Sequence, residues 1–298
     1  MISLQIQSVI YKNSVSSLLK AIEGLNNAIR YCRKNGLNVN AKLCYGDASP
    51  SPALTEHNIN EIQNNYSNLS FNYSFFGFNS GTAQGHNRLG EKCDTEYMMI
   101  MNPDVILESS CIYELLSAFQ DEEVGMAEAR QTPLELSKIY NTDTLETEWA
   151  STACTIFKTR IFKELNGFDY LTFFMYCDDL DFSWRLRLAG YKIIYNPRAV
   201  VFHAKTLSSA GSWKPTAAEI YYSAEAAILM AHKYSNPARV EKLLRQFDTI
   251  GGTDEQKAAN EFRKRKREGN LPAPIDPDHK VAKFIGDYYS EMRFDYSK

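Results

Sequence analysis

Residues 98–107 read MMIMNPDVIL. Met98 to Met101 make a short apolar run that fits a buried strand, and Val105 to Leu107 make another. Between them stand Asn102, Pro103 and Asp104. Proline has no N–H for a sheet ladder, so the chain is expected to leave the sheet at Asn102 and present Asp104 at a strand's carboxyl end. In open α/β sheets ligands bind at that end. A carboxylate there, with an amide carbonyl two residues before it, suits a hard cation such as Mg2+ or Mn2+. Such ions take oxygen ligands and share them with substrate phosphates. The same tripeptide also fits a strand-end turn with a solvated Asp.

Outward from this stretch the pattern alternates. Residues 2–11 and 41–45 read as strands, and residues 14–32 carry apolar residues at helical spacing behind Asn13 or Ser14 as N-cap. Residues 54–66 read as a helix and 69–76 as a third strand. Then the glycine-rich NSGTAQGHNRLG, residues 79–90, runs into a short helix. A β-α-β-α-β order of this kind predicts a mostly parallel sheet with right-handed crossovers. Further on, a helix is expected at 109–121, a strand at 124–129, a long functional loop at 131–149, a strand at 151–158 and a helix at 159–166. An aromatic loop follows at 168–177, then a helix at 179–189 and strands at 191–195 and 199–203. Beyond about Ser208 the pattern becomes helical: 214–234, 237–247, 255–268 and, after a Pro-rich linker, 281–292. This divides the chain into an α/β domain over 1–210 and a helical extension over 211–298.

Composition bounds the function. The chain has 298 residues, 44% hydrophobic and 23% charged, with a formal net charge of −3, so bulk charge argues for no nucleic-acid partner. The six cysteines form no C-x-x-C pair and read as reduced, buried thiols of a cytoplasmic protein. The N-terminus lacks a basic region followed by a long apolar core, so no signal peptide is expected. No stretch approaches a membrane span. Residues 263–267, RKRKR, are either a solvated helix face or a patch for acidic lipid at the inner face of the membrane.

Two further clusters carry chemistry. In FFMYCDDLDFSWRLRLAG, residues 173–190, three carboxylates, Asp178, Asp179 and Asp181, crowd the start of a helix. The helix dipole stabilises negative charge there, and an Asp181–Arg185 pair at i,i+4 spacing is a sufficient structural reason for one of them. Capping needs one acid, not three, and a carboxylate held here can serve as general base beside an aromatic wall for a sugar or base. His203 ends the strand AVVFH. A lone His is commonly structural, but its strand-end position after the acid cluster makes it a candidate ligand.

Taken together, these residues resemble family 2 glycosyltransferases of the GT-A fold, especially the bacterial rhamnosyltransferase-like and galactofuranosyltransferase-like members. The resemblance covers roughly residues 1 to 210. Its pieces arrive in the family's order: SVIYKN, GDAS, the glycine-rich loop with Asn79, Gly81, Gly85 and Asn87, NPDV as a version of the D-x-D motif, WASTACTIFK from Trp149, GFD from Gly167, the paired acids, and His203.

The resemblance implies a Rossmann-like nucleotide-binding half and an inverting, metal-dependent transfer of a sugar from a nucleotide diphosphate. The donor would be dTDP-rhamnose or a UDP-sugar, and the acceptor a hydroxyl of a growing or lipid-linked surface glycan. It implies Asp104 and His203 as ligands of Mn2+ or Mg2+, and Asp179 as catalytic base. Tyr11, Asp47, Asn79, Gly81, Asn87 and Asn102 would lie at the nucleotide sugar, and Trp149 and Asp178 at the acceptor or sugar. The chain departs from the pattern at Asn102, which replaces the first carboxylate of D-x-D, and at Gly46, which holds the place of an Asp now shifted to Asp47. Thr152 stands where Gly is common, and Asp178 where Glu is common. A catalytically inactive binding module is the rival class. A nucleotidyltransferase would need a basic, glycine-rich phosphate loop after the first strand, and a nicotinamide dehydrogenase a G-x-G-x-x-G; SVIYKNSVSS supplies neither. The helical extension is expected to meet a membrane surface or make a dimer.

Overall fold

A computed structural model describes residues 1–204 and 215–293. The N-terminal half is β1 (Ile2–Ile10), α1 (Val15–Lys34), β2 (Val39–Asp47), α2 (Glu56–Asn65), β3 (Leu69–Phe75), α3 (Gly81–Gly90), β4 (Tyr97–Met101), β5 (Val105–Leu107) and α4 (Cys111–Ser117). There follow β6 (Val124–Thr132), β7 (Cys154–Lys158), α5 (Thr159–Glu164), α6 (Asp178–Leu188) and β8 (Lys192–His203). Three helices complete the described chain: α7 (Ala217–Lys233), α8 (Pro237–Thr249) and α9 (Thr253–Glu268).

The eight strands form one sheet in the order β3-β2-β1-β4-β7-β6-β8-β5. It is parallel through β3, β2, β1 and β4, as the alternating pattern requires. Beyond β4 it is mixed: β7 runs antiparallel to both neighbours, β8 lies parallel to β6, and β5 closes the edge antiparallel to β8. The two strands expected at 191–195 and 199–203 are a single strand. Its register against β6 jumps between Ala129↔Asn196 and Arg130↔Val200, so Pro197 sits in the irregularity, outside the ladder it cannot join.

Burial follows the apolar periodicity. One face of the sheet packs against α1, α2 and α4, where Leu18, Ile22, Leu25 and Ile29 are fully buried. Ser14 caps α1, its hydroxyl accepting the Ser17 N–H at 3.2 Å. Gly24 lets α1 approach β5: a Cβ there would lie 3.1 Å from Ile106 Cγ2 and 3.2 Å from Leu107 N. The other face gathers Met98, Ile100, Phe157, Phe162, Phe168 and Phe182. A third core joins the C-terminal helices to Trp149, Phe173, Leu180 and Trp184.

The helix expected over 281–292 does not form. The Asp276 carboxylate takes the N–H groups of Val281 and Ala282 at 3.1 and 2.8 Å, and Arg239 bonds the Gly286 carbonyl, so the segment is held as irregular turns. Residues 205–214, which include Ser208 and the Lys214 that opens the expected helical pattern, lie outside the described residues. All six cysteines are free, and all but Cys177 are buried. No helix of the described residues is long and apolar enough to cross a membrane. Helix α9 carries RKRKR, but Arg263 pairs with Asp248, Lys264 with Glu261 and Arg265 with Glu225. Lys266 and Arg267 are exposed.

Candidate active site

Pro103 ends the sheet where the sequence places the break. Asn102 N–H donates to the Ala153 carbonyl at 2.9 Å, and Val105 N–H returns to the Asn102 carbonyl at 3.1 Å, closing a tight turn around Pro103 and Asp104. Val105 is opposite His203 in the β5–β8 ladder, which brings Asp104 beside the end of β8. Asp104 Oδ1 lies 3.4 Å from His203 Nε2, and Asn102 Nδ2 lies 3.4 Å from the same nitrogen. On its other side His203 Nδ1 lies 2.8 Å from Oε1 of Gln131, a buried residue of β6. An amide oxygen only accepts, so Nδ1 carries a proton in this contact, and Nε2 is the ring nitrogen whose lone pair a metal beside Asp104 would take. An imidazole nitrogen and a part-exposed carboxylate fit a divalent cation such as Mn2+, with open positions for phosphate oxygens and water. Among the described residues no group of three or more His, Cys, Asp or Glu side chains is arranged to hold an ion. Among the described residues Asp104 and His203 are the candidate donors from the protein.

The second half of the site is the start of α6. The chain enters it through two consecutive left-handed residues, Tyr176 at φ 68° and Cys177 at φ 56°. Neither is glycine, and such conformations cost about 1–3 kcal/mol each, a cost typical of functional sites. Asp178 is buried and accepts from Thr82 Oγ1 at 2.8 Å. Burial, with the charge of Asp179 adding to it, pushes its pKa up to about 7. Asp179 is partly exposed, and its Oδ1 accepts the Leu180 N–H at 2.8 Å. Desolvation raises its pKa, against the Leu180 N–H, the Lys138 charge and the Thr152 N–H, which lower it. Asp181 is fully buried and structural: it pairs with Arg185 at 2.8 Å and with Lys233 of α7 at 2.5 Å.

Residues 151–153 join the two halves. Ala153 accepts from Asn102, Thr152 N–H bonds Asp179, and Ser151 N–H donates to Glu128 Oε1 at 2.9 Å. Glu128 and Lys138 form a buried ion pair, and burial pushes Glu128 up to about 7 even against that partner. Lys138 Nζ lies 4.0 Å from the Trp149 ring centroid. Trp149 itself is only 6% exposed, and its indole N–H donates to Ser290 Oγ at 3.4 Å. Its ring is part of the C-terminal core and offers no open face to an acceptor.

The remaining candidates line the carboxyl ends of β1 and β2 and the start of α3. Tyr11 is exposed, and the next residue, Lys12, donates its N–H to Ser49 Oγ at 2.8 Å, tying the two strand ends together. Asp47 is fully buried: its oxygens accept from Ser49 N–H at 2.9 Å, Ala53 N–H at 2.7 Å and the Tyr73 hydroxyl. Despite burial, those bonds hold its carboxyl below the usual range. Its carboxylate thus shapes the 47–53 turn. Asn79 accepts from Gly81 N–H at 3.2 Å. Gly81 has φ 63°, and a Cβ there would lie 2.2 Å from the Phe174 carbonyl oxygen, so only glycine lets α3 meet the aromatic loop. Asn87 faces the other way and pins the Phe168 backbone at 2.8 and 2.9 Å.

Sequence reasoning missed Gln131, Thr82 and the Glu128–Lys138 pair. Only Glu128 left a trace, as an acid inside the apolar strand VGMAEAR.

No protein-family profile matches the chain. In an alignment 164 residues long that covers 43% of this chain and 59% of the other, it is 26% identical to the rhamnosyltransferase WbbL of Escherichia coli. Over 61 residues, 20% of either chain, it is 38% identical to an N-acetylglucosaminyl-diphospho-decaprenol L-rhamnosyltransferase of Mycobacterium tuberculosis. The chain thus matches less than two thirds of the length of these curated relatives. Among solved structures it resembles a mannosyltransferase of Pyrobaculum calidifontis in complex with GDP-Man and Mn2+, with TM-score 0.56 and 13% identity, covering 89% of this chain and 80% of that one. It also resembles GalNAc-T7 with UDP, GalNAc and Mn2+, with TM-score 0.64 and 11% identity, covering 92% of this chain and 56% of that one. The chain has the GT-A glycosyltransferase fold and, by sequence, resembles family 2 glycosyltransferases of the rhamnosyltransferase-like kind.

Proposed function

We propose that the protein is an inverting, metal-dependent glycosyltransferase that moves a sugar, rhamnose first among the candidates, from a nucleotide diphosphate to a glycan hydroxyl. One observation carries the reading. Asn102, which lies against His203 beside Asp104, bonds Ala153, and the neighbouring Thr152 N–H bonds Asp179; this shared backbone supports a reading in which a cation-binding corner and a carboxylate base serve one reaction centre. Mn2+ or Mg2+ held by Asp104 and His203 would neutralise charge on the departing diphosphate. Asp179 accepts the proton of the acceptor hydroxyl as that oxygen forms its bond to the anomeric carbon and the carbon–diphosphate bond breaks. Attack opposite the leaving group inverts the centre. Asp178, its pKa raised to about 7, holds α3 through Thr82 and carries less than a full charge beside Asp179 below that pH.

The likeness over 61 residues to an N-acetylglucosaminyl-diphospho-decaprenol L-rhamnosyltransferase supports a lipid-diphosphate-linked acceptor; in this reading the acceptor is part of a growing surface glycan, met from the cytoplasmic face of the membrane. In this reading residues 1–210 are the catalytic domain. Asn102, standing in for a first metal carboxylate, favours a second reading as an inactive binding module.

Donor turnover separates the two. Purified protein with Mn2+ is offered dTDP-rhamnose, UDP-glucose or GDP-mannose and a synthetic lipid diphosphate–N-acetylglucosamine. Metal-dependent release of one nucleotide, with product of inverted anomeric configuration, supports the transferase. Metal-dependent nucleotide binding without release would establish the module instead.

A further inference from the structure

The loop that carries the acid pair is gripped along its whole length by the C-terminal helices. At its tip, Tyr176 O–H donates to Glu219 Oε1 of α7 at 3.2 Å. Beside it the Phe174 ring stacks on Tyr222 of α7, centroids 4.7 Å apart at 28°. Below, the ammonium of buried Lys233, at the other end of α7, bridges Asp169 at 2.7 Å and Asp181 at 2.5 Å. These are the two feet of the loop. Tyr234 adds its hydroxyl to Asp181 at 3.1 Å, and Arg265 of α9 reaches the Thr172 carbonyl at 3.4 Å. The gripped segment holds the left-handed pair Tyr176–Cys177, a conformation that persists only where its surroundings over-determine it.

We infer that α7 is the positioning element of the acid loop: Glu219 and Tyr222 hold its tip, Lys233 ties its feet, and together they fix where Asp178 and Asp179 stand. The helical extension is then part of the reaction machinery, not an appendage. The inference rests on the proposed transferase reading for its kinetic consequence but not for its structural one. Glu219 is suited to the task because its two oxygens have separate duties. One accepts the Thr216 N–H and caps α7, the other accepts from Tyr176. The contacts can therefore be cut one at a time.

Three variants test this. Tyr176→Phe deletes only the phenol hydroxyl. Glu219→Ala deletes the contact and half of the cap. Thr216→Ala weakens the cap and leaves the Tyr176 contact in place. Hydrogen–deuterium exchange over residues 169–181 is read alongside kcat and KM with dTDP-rhamnose or whichever donor the protein turns over. The expected result is faster exchange over 169–181 in Tyr176→Phe and Glu219→Ala but not in Thr216→Ala. In the same two variants kcat falls about fivefold, the worth of one hydrogen bond, with donor KM unchanged. Unchanged exchange in the first two variants overturns the inference, as does an equal rise in Thr216→Ala, which would trace the effect to fraying of the helix. If the wild-type chain turns over no donor, the transferase reading fails, and the exchange measurement alone decides whether α7 holds the loop.

Discussion

His203 turns Nδ1 onto the buried Gln131 amide oxygen, 2.8 Å away, and this leaves Nε2 aimed at Asp104, 3.4 Å away. Partners behind a metal-binding imidazole typically account for about 10–100-fold in affinity, because they fix both tautomer and ring angle. Gln131→Ala should therefore weaken Mn2+ binding by about that factor while leaving Asp104 and His203 in place. Titration of Mn2+ against the protein with UDP or dTDP present measures it. Unaltered affinity would show that the imidazole is oriented by something else.

Asp179→Asn keeps the shape of the site and removes the proposed proton acceptor. Turnover should drop by about 10²–10⁴, the usual share of general base catalysis, while calorimetric affinity for nucleotide stays the same. Parallel loss of both would mean that Asp179 serves donor binding.

The buried acid gives stability a pH dependence of defined sign. Asp178 titrates near an ordinary carboxyl value of 3.8 when unfolded and about 7 when folded. Between those values the native chain holds more protons than the unfolded one, so Asp178 favours folding fully at the acid end. That contribution fades as pH climbs from about 4 to about 7. Glu128, raised from 4.5 to about 7, acts in the same direction. Asp178→Asn should flatten the fall of melting temperature across this window without abolishing it. A slope identical to wild type would place the titration elsewhere. Turnover should move oppositely: Asp179 has a raised pKa and, as the proposed base, would act only when ionised, so kcat should climb with pH along its acidic limb.

Lys233→Met removes one cation and strands two carboxylates, Asp169 and Asp181, the latter with no solvent exposure. Removing one member of a buried ion pair typically costs about 3–5 kcal/mol, and Arg185 remains to absorb part of the Asp181 charge. Chemical denaturation should report a loss near the lower figure. A change under about 0.5 kcal/mol, normal for surface positions, would contradict the burial of this network.

Much of this was legible in the residues. Pro103 announced the end of β4, because a missing N–H is a local fact that tertiary context cannot supply. The i,i+4 spacing of Asp181 and Arg185 foretold their pair, though not that Lys233 would join it from fifty-two residues further on. That limit is general here. Gln131 reaches His203 because β6 and β8 are neighbours, and Thr82 reaches Asp178 because α3 abuts the aromatic loop. Neither adjacency has a sequence period. Residues 281–292 look helical by composition, but Asp276 competes for their backbone donors, and Trp149 looks like a sugar platform until the C-terminal core covers it. Such outcomes depend on what lies opposite, which no local pattern records.

Tyr176 and Cys177 bear on any effort to make a hardier form of the protein. A left-handed backbone at two side-chain-bearing positions invites glycine, which would adopt it without strain. The same exchange would remove the Tyr176 phenol and slacken the approach to Asp178 and Asp179. Relief of backbone strain and retention of the packing of Tyr176 and Cys177 against the C-terminal core thus pull against each other at these two positions, and a search for stabilising changes is better directed elsewhere in the chain.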